Sequence, residues 1–153
     1  MRPISRANKL FRRDDGGSVV ELALLMSLLL LILLGGIDLS RAYFLSIEVA
    51  GAAQAGAAYG ILNRTDTTGI QAAASDDAPN VSNLTVGTPT WGCECADGTL
   101  SSTSCTSKPT CSSTNLVYWV SVTASSTYSP VFPWPHIPSS ISLQQTVLMR
   151  SAN

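Results

Sequence analysis
Histidine occurs once in the 153 residues, at position 136, and charged residues make up only 12% of the chain, about half the share usual in soluble domains. No Ser/His/Asp set, no paired carboxylates with a plausible pocket and no phosphate-binding loop are present, so the sequence offers no residue set for an enzyme. The net charge of −1 lacks the basic surplus that nucleic acid requires, and no nucleic-acid partner is expected. No cofactor and no metal are expected either. Beyond Leu62 the only cations are Arg64, Lys108 and Arg150. No proline or turn cluster interrupts the stretch from Ile37 to Leu62.

What charge there is lies at the front. Arg2, Arg6, Lys9, Arg12 and Arg13 are five of the nine basic residues. Behind them, Leu22 to Ile37 holds no charged residue, and Leu or Met fills most of Leu22–Leu30. With Ser18, Val19 and Val20 the run reaches about 20 residues, the length a helix needs to cross ~30 Å of hydrocarbon. Because it is apolar on every side, it reads as a membrane span rather than a core helix. Basic residues ahead of it and Asp38 and Glu48 behind it place the N-terminus in the cytoplasm. An ordinary signal peptide fits poorly, because its apolar core is shorter and is followed closely by a small-x-small cleavage site. The nearest such site, Ala53-Gln54-Ala55, lies beyond Asp38, Arg41 and Glu48.

Between the basic leader and the span stands Asp15-Gly16-Gly17-Ser18-Val19-Val20-Glu21. A carboxylate just inside a membrane helix is costly and needs a reason. Cleavage between Gly16 and Gly17 would make Glu21 the fifth residue of the processed chain. There the helix dipole favours an anion, and a new α-ammonium group, its own or a neighbour's, can pair with it. The two glycines would offer a protease an extended, unhindered backbone.

This arrangement of basic leader, Gly, four residues, Glu and a long apolar helix resembles prepilin-peptidase substrates. More narrowly, Gly17-Ser-Val-Val-Glu-Leu-Ala-Leu, Gly36-Ile-Asp-Leu-Ser-Arg-Ala-Tyr and Ala50-Gly-Ala-Ala-Gln-Ala-Gly-Ala-Ala-Tyr look like the TadE-like minor pilins, or pseudopilins, of tight-adherence (Flp-type) pilus and secretion systems. The end of the chain, from Val120-Ser-Val-Thr-Ala to Thr146-Val-Leu-Met-Arg150, is similar to how that family ends. Gly17 stands where the commoner type IV pilins and type II pseudopilins carry Phe, which favours the tight-adherence branch. The resemblance implies a prepilin peptidase, other pilin or pseudopilin subunits and an inner-membrane assembly platform as partners, together with the lipid bilayer.

Past the span the same helix is expected to run on to Leu62, about 67 Å from Ser18 at 1.5 Å per residue. Asp38 and Arg41 are three apart and can pair on one face. Ala52, Gly56 and Gly60 recur every four residues and form a groove of small side chains that admits a close neighbour. That neighbour is either the chain's own sheet or another subunit's helix, and both can hold.

The remainder reads as a small exported domain. A helical piece near Gly69–Ser75 is ended by Asp77-Ala-Pro79-Asn80. Extended segments follow at Val81–Thr88, Leu116–Ser125 and Ile141–Arg150. The second alternates Leu116, Tyr118, Val120, Val122 and Ala124 toward one face, and the third does so with Ile141, Leu143, Gln145, Val147 and Met149. Cys93, Cys95, Cys105 and Cys111 are expected in a loop between the first and second strands, as two disulfides. Pairing Cys93 with Cys95 is geometrically poor, which leaves nested or crossed bridges. A zinc site is the rival, but the spacing lacks paired knuckles. Prolines at 130, 133, 135 and 138 forbid a regular ladder between the last two strands. His136 in that loop is expected at the surface or in packing. Phe132 and Trp134 are expected to pack on the sheet, with lipid headgroups or a neighbouring subunit as other surfaces they could meet.

The fold expected is α+β and pilin-like, a long N-terminal helix packed on a three-stranded antiparallel sheet with a disulfide loop. Residues 1–16 form a cleaved cytoplasmic leader, 17–38 the transmembrane helix, 39–62 its extramembrane continuation and 63–153 an extracytoplasmic β-rich domain. The expected function is that of a minor pilin or pseudopilin subunit, processed and assembled at the bacterial inner membrane and carried into an extracellular pilus. The alternative is an unprocessed single-pass membrane protein whose exported domain binds an envelope partner.

Overall fold
A computed structural model describes residues 15–98, 101–103, 105–106, 108–111 and 115–152. The basic leader, residues 1–14, lies outside the described residues. Two α-helices, α1 (Asp15–Leu62) and α2 (Thr67–Asp77), precede five strands: β1 (Thr85–Val86), β2 (Thr90–Cys95), β3 (Ser101–Ser102), β4 (Leu116–Tyr128) and β5 (Ile141–Ala152). The chain divides into two compact units at Leu39/Ser40.

In the first unit, α1 is built mostly of Leu, Ile, Val, Met, Ala and Gly, and the described residues leave most of it uncovered. Large apolar side chains from Val19 to Leu33 are all more than half exposed. The helix is long and apolar enough to cross a membrane.

In the second unit, α1 continues from Ser40 and supplies one half of a hydrophobic core. It ends at Leu62, where Asn63 N–H still reaches the Tyr59 carbonyl at 3.1 Å. Asp66 then caps α2 by accepting the Gly69 N–H at 2.9 Å. Pro79 follows the last turn of α2 closely, which prevents its continuation.

β4 is the spine of the sheet. It pairs antiparallel with β5 along twelve positions, Val117↔Ala152 to Tyr128↔Ile141. On its other edge it pairs with β2 (Thr90↔Ser121 to Cys95↔Leu116) and then with β1 (Thr85↔Ser125, Val86↔Ala124). β1 and β2 therefore act as one strand broken near Pro89, and β3 adds a short outer rung to β2. This corrects the expected sheet in two respects. The first strand does not end at Thr88 but runs on to Cys95, so Cys93 and Cys95 lie in a strand rather than in a loop. Residues Val81–Leu84 instead turn, with Leu84 N–H bonded to the Val81 carbonyl. A proline removes one ladder hydrogen bond without ending an extended strand.

Even-numbered residues of β4 face the helices, as the alternation predicts: Val120, Val122 and Ala124 are fully buried. Val122 and Val120 meet Ile70 and Ala57, while Ala124 meets Val49, Ala52 and Ala53. Gln71 of α2 ties the helix to the sheet through the Val86 carbonyl at 3.2 Å. The opposite face is mostly Ser, Thr and Gln. There Thr123 and Thr146 share a 2.8 Å hydrogen bond, and Glu94 and Arg150 form an ion pair at 2.5 Å. Gly92 lies opposite Trp119. A Cβ at that position would lie 2.6 Å from the indole, so only glycine lets the ring lie across β2.

Candidate processing and assembly site
Asp15 opens α1, so Gly16 and Gly17 occupy its first turn. The extended backbone expected at these glycines is not what the structure has. The turn is nonetheless the weakest of the helix. Its first four N–H groups have no intrahelical acceptor, and each glycine costs about 1 kcal/mol relative to alanine. Gly17 is exposed, with nothing within 4 Å of where a Cβ would stand. Glu21 follows four residues later, also exposed, on the same face one turn along. The rise between the two is about 6 Å. A charge at Gly17 and the carboxylate of Glu21 are thus within reach of one another.

Asp38 is buried at 6% exposure, whereas Arg41 one turn on is exposed. Of the small-residue groove, Ala52, Gly56 and Gly60 are all buried. A Cβ on Gly56 would lie 3.0 Å from the Ala74 Cβ and 3.2 Å from Val122 Cγ1, and one on Gly60 would lie 2.8 Å from Val120 Cγ1. The groove is filled by the chain's own α2 and β4. That was the first of its two readings, and it leaves this face no room to receive a helix from a neighbour in the same place.

The four cysteines form crossed bridges, Cys93–Cys105 and Cys95–Cys111, with Cα separations of 5.5 and 5.6 Å. Two residues apart in β2, Cys93 and Cys95 point to the same face. The loop is therefore stapled twice to one edge of the sheet. Arg64, just past α1, places its guanidinium 3.9 Å from the centre of the Tyr118 ring on β4.

Two features escaped the sequence reading. Asp66 collects the Gly69 N–H, the Thr68 hydroxyl and the Tyr59 hydroxyl, each at 2.9 Å. The Gly69 hydrogen bond, then those from Tyr59 and Thr68, hold its carboxyl below the ordinary aspartate range. The same bond to Asp66 raises the Tyr59 phenol. An aspartate directly ahead of Thr67-Thr-Gly-Ile was a legible capping signal. The other is the Pro-rich loop, which leaves several large apolar side chains open while Trp134 is partly buried. Phe132 is 39% exposed, Val131 and Ile137 are about half exposed, and His136 lies at the surface. Phe132 meets Trp134 edge-to-face at 6.4 Å.

Comparison with known families gives one match: residues 16–58 fit the model of a family described as TadE-like protein. The match opens at Gly16, runs through the apolar helix and ends within the buried part of α1; the sheet lies outside it. No curated protein and no solved structure matches the chain. The match covers the motifs that begin at Gly17 and Gly36 and most of the one that begins at Ala50, while the resemblance read between Val120 and Arg150 lies outside it. The match covers less than half of the chain and shows what its first helix is similar to; the same helix is long and apolar enough to cross a membrane.

Proposed function
We propose, on the premise that residues 16–58 are TadE-like, that the chain is a minor pilin or pseudopilin subunit cut between Gly16 and Gly17 by a prepilin peptidase. The observation that carries this reading is the placement of Gly17 and Glu21 one helical turn apart at the head of an apolar stretch that holds no further charge before Asp38. Cleavage creates an ammonium group at Gly17. Glu21, of the same chain or of the next subunit, neutralises it where water is scarce and sets the register of the incoming subunit. Asp38 and Arg41 add an oppositely charged pair at the far end of the apolar stretch. The N-terminus faces the cytoplasm and the disulfide-stapled sheet faces the oxidising side, consistent with the front-loaded basic residues. Partners are other pilin-like subunits and the inner-membrane assembly platform, and the processed subunit is carried into or beneath the pilus.

Intact mass of the protein taken from its native membrane tests the cut. The expected value lacks the first 16 residues. A chain that retains them in cells containing the peptidase overturns the reading in favour of an unprocessed, membrane-tethered binding domain. A Glu21→Ala variant should insert normally but fail to assemble, and unchanged assembly would remove the carboxylate's role.

A further inference from the structure
The packing of α1 on β4 has a regular register. Val120 lies against Gly60 and Val122 against Gly56, and Ala124 packs on Val49, Ala52 and Ala53. Two strand residues advance about 6.6 Å and four helix residues about 6 Å, so the two elements run antiparallel and in step. Continued by the same increment, the buried Tyr128 at the end of β4 comes level with Phe44. β5 begins at the same height, because Ile141 pairs with Tyr128. The twelve-residue loop between them therefore leaves the sheet at the end of the unit where α1 enters it. Phe44 is only about 8 Å, by helical rise, from Leu39, where the apolar segment joins.

The loop is built to present apolar groups. Trp134 N–H bonds the Phe132 carbonyl at 2.9 Å across Pro133, and Ile137 N–H bonds the Trp134 carbonyl at 3.3 Å across Pro135 and His136. Pro135 followed by His136 at φ 69° is the pattern of a type II turn. Two tight turns and four prolines restrict the loop, yet Val131, Phe132 and Ile137 remain exposed. At the same end of the unit, α1 exposes Tyr43 (69%), Phe44 (60%) and Ile47 (50%). Two separate elements thus place aromatic and aliphatic groups beside the point of attachment to a membrane anchor. Aromatic rings with one polar edge are favoured at the level of lipid headgroups.

We infer that the loop 129–140, together with Tyr43 and Phe44, is a second membrane contact, seated in the headgroup–acyl boundary of the bilayer that the apolar helix crosses. The inference rests on that helix being in lipid. Its occupant is the lipid surface because this end of the unit is the one joined through α1 to the apolar stretch, and no second molecule is needed to bring them together. The contact limits the swing of the exported unit before the subunit leaves the membrane.

The test uses the full chain in vesicles of phosphatidylethanolamine and phosphatidylglycerol containing a lipid-borne carbene photoprobe, with labelled positions mapped by mass spectrometry. Labelling is expected in Leu22–Leu33 and in Val131–Ile137. It should be absent at Leu148, which is equally exposed but pairs with Ser121, far from the loop. Labelled span with unlabelled loop overturns the inference and leaves the anchor standing; failure of both overturns the anchor as well. Labelling of Leu148 equal to that of the loop overturns it too, by showing indiscriminate adsorption. A Phe132→Ser/Ile137→Ser variant, altering only exposed side chains, should lose at least half the loop labelling while the span labelling is unchanged. If the loop instead crosslinks to a second protein copy and stays unlabelled by lipid, the occupant is another subunit and the inference fails.

Discussion
One helix does two different jobs on either side of Leu39. Before it, α1 is apolar all round, and its Leu, Ile and Val side chains from Val19 to Leu33 are more than half exposed among the described residues. After it, the helix sorts its residues: Val49, Ala52, Ala53 and Ala57 are fully buried while Leu39, Tyr43 and Ile47 are exposed. The first stretch relies on a bilayer as its solvent, whereas the second makes a core with α2 and the sheet. In water, burial of apolar area drives packing, at roughly 25 cal/mol per Å². In lipid that drive vanishes and small residues and polar pairs decide contacts. Substitutions of the same kind should therefore have opposite or unequal effects in the two stretches.

The largest effect is expected from the disulfides, which belong only to the second stretch. Replacing Cys93 and Cys105 or Cys95 and Cys111 by serine should cost about 2–4 kcal/mol per bridge. Near-ultraviolet circular dichroism during denaturant unfolding in detergent micelles reads the loss, while the far-ultraviolet helix signal of the apolar stretch should persist. If both signals collapse together, the two stretches are not independent. Of similar size to the loss of one bridge, Ile70→Ala removes a fully buried side chain from between α2, Ala57 and β4 and should cost about 2–5 kcal/mol. Leu28→Ala, at a position 56% exposed, should leave the stability of the folded unit unchanged by the same assay. A smaller contrast is offered by glycine. Gly60→Val drives two methyl groups into Val120 and Ile70 and should cost about 1–3 kcal/mol. Gly36→Ala meets nothing within 4 Å and should strengthen the helix by up to about 1 kcal/mol. Lost assembly in a well-folded Gly36→Ala protein would show that a neighbouring helix approaches there.

The same contrast explains what could be read from the residues alone. An uninterrupted apolar run carries its own meaning, because a bilayer imposes one length and one polarity. Alternation in Leu116–Ala124 and Ile141–Met149 likewise names the inward face without reference to any partner. Where the outcome depended on a competing neighbour, the residues were ambiguous. Ala52, Gly56 and Gly60 announce close packing, but only the placement of Ile70, Ala74 and Val122 identifies what fills the groove. Cys93 and Cys95 read as loop residues because Gly92 and the flanking Pro89 argue against a strand. Pairing with β4 on one side and β3 on the other overrides that local preference. Gly16 and Gly17 joined the helix, since Val19 onward propagates it backward and fraying, not propensity, is what remains at the first turn.

The smallest effect concerns the turn that lets the chain leave α1 and start α2. Asp66 is held below the ordinary carboxylate range first by the Gly69 N–H and then by Tyr59 and Thr68. Its contribution is therefore full above the unfolded aspartate pKa of about 4 and is lost as pH falls through the lower folded value. Tyr59 is raised, chiefly by donating to Asp66, so its share is full below about pH 10 and is lost as pH climbs through the folded value. Asp66→Asn keeps an acceptor for the Gly69 N–H but removes the charge. Its stability should then be flatter than that of the parent as pH falls below the ordinary aspartate pKa of about 4, with the Tyr59 titration, followed by NMR, moved back toward the ordinary tyrosine value. The apolar stretch belongs to the other compact unit, so its helix content should not follow this transition. An acid midpoint identical in parent and variant, with Tyr59 unmoved, would detach the cap from the stability of the unit and confine the role of Asp66 to local geometry.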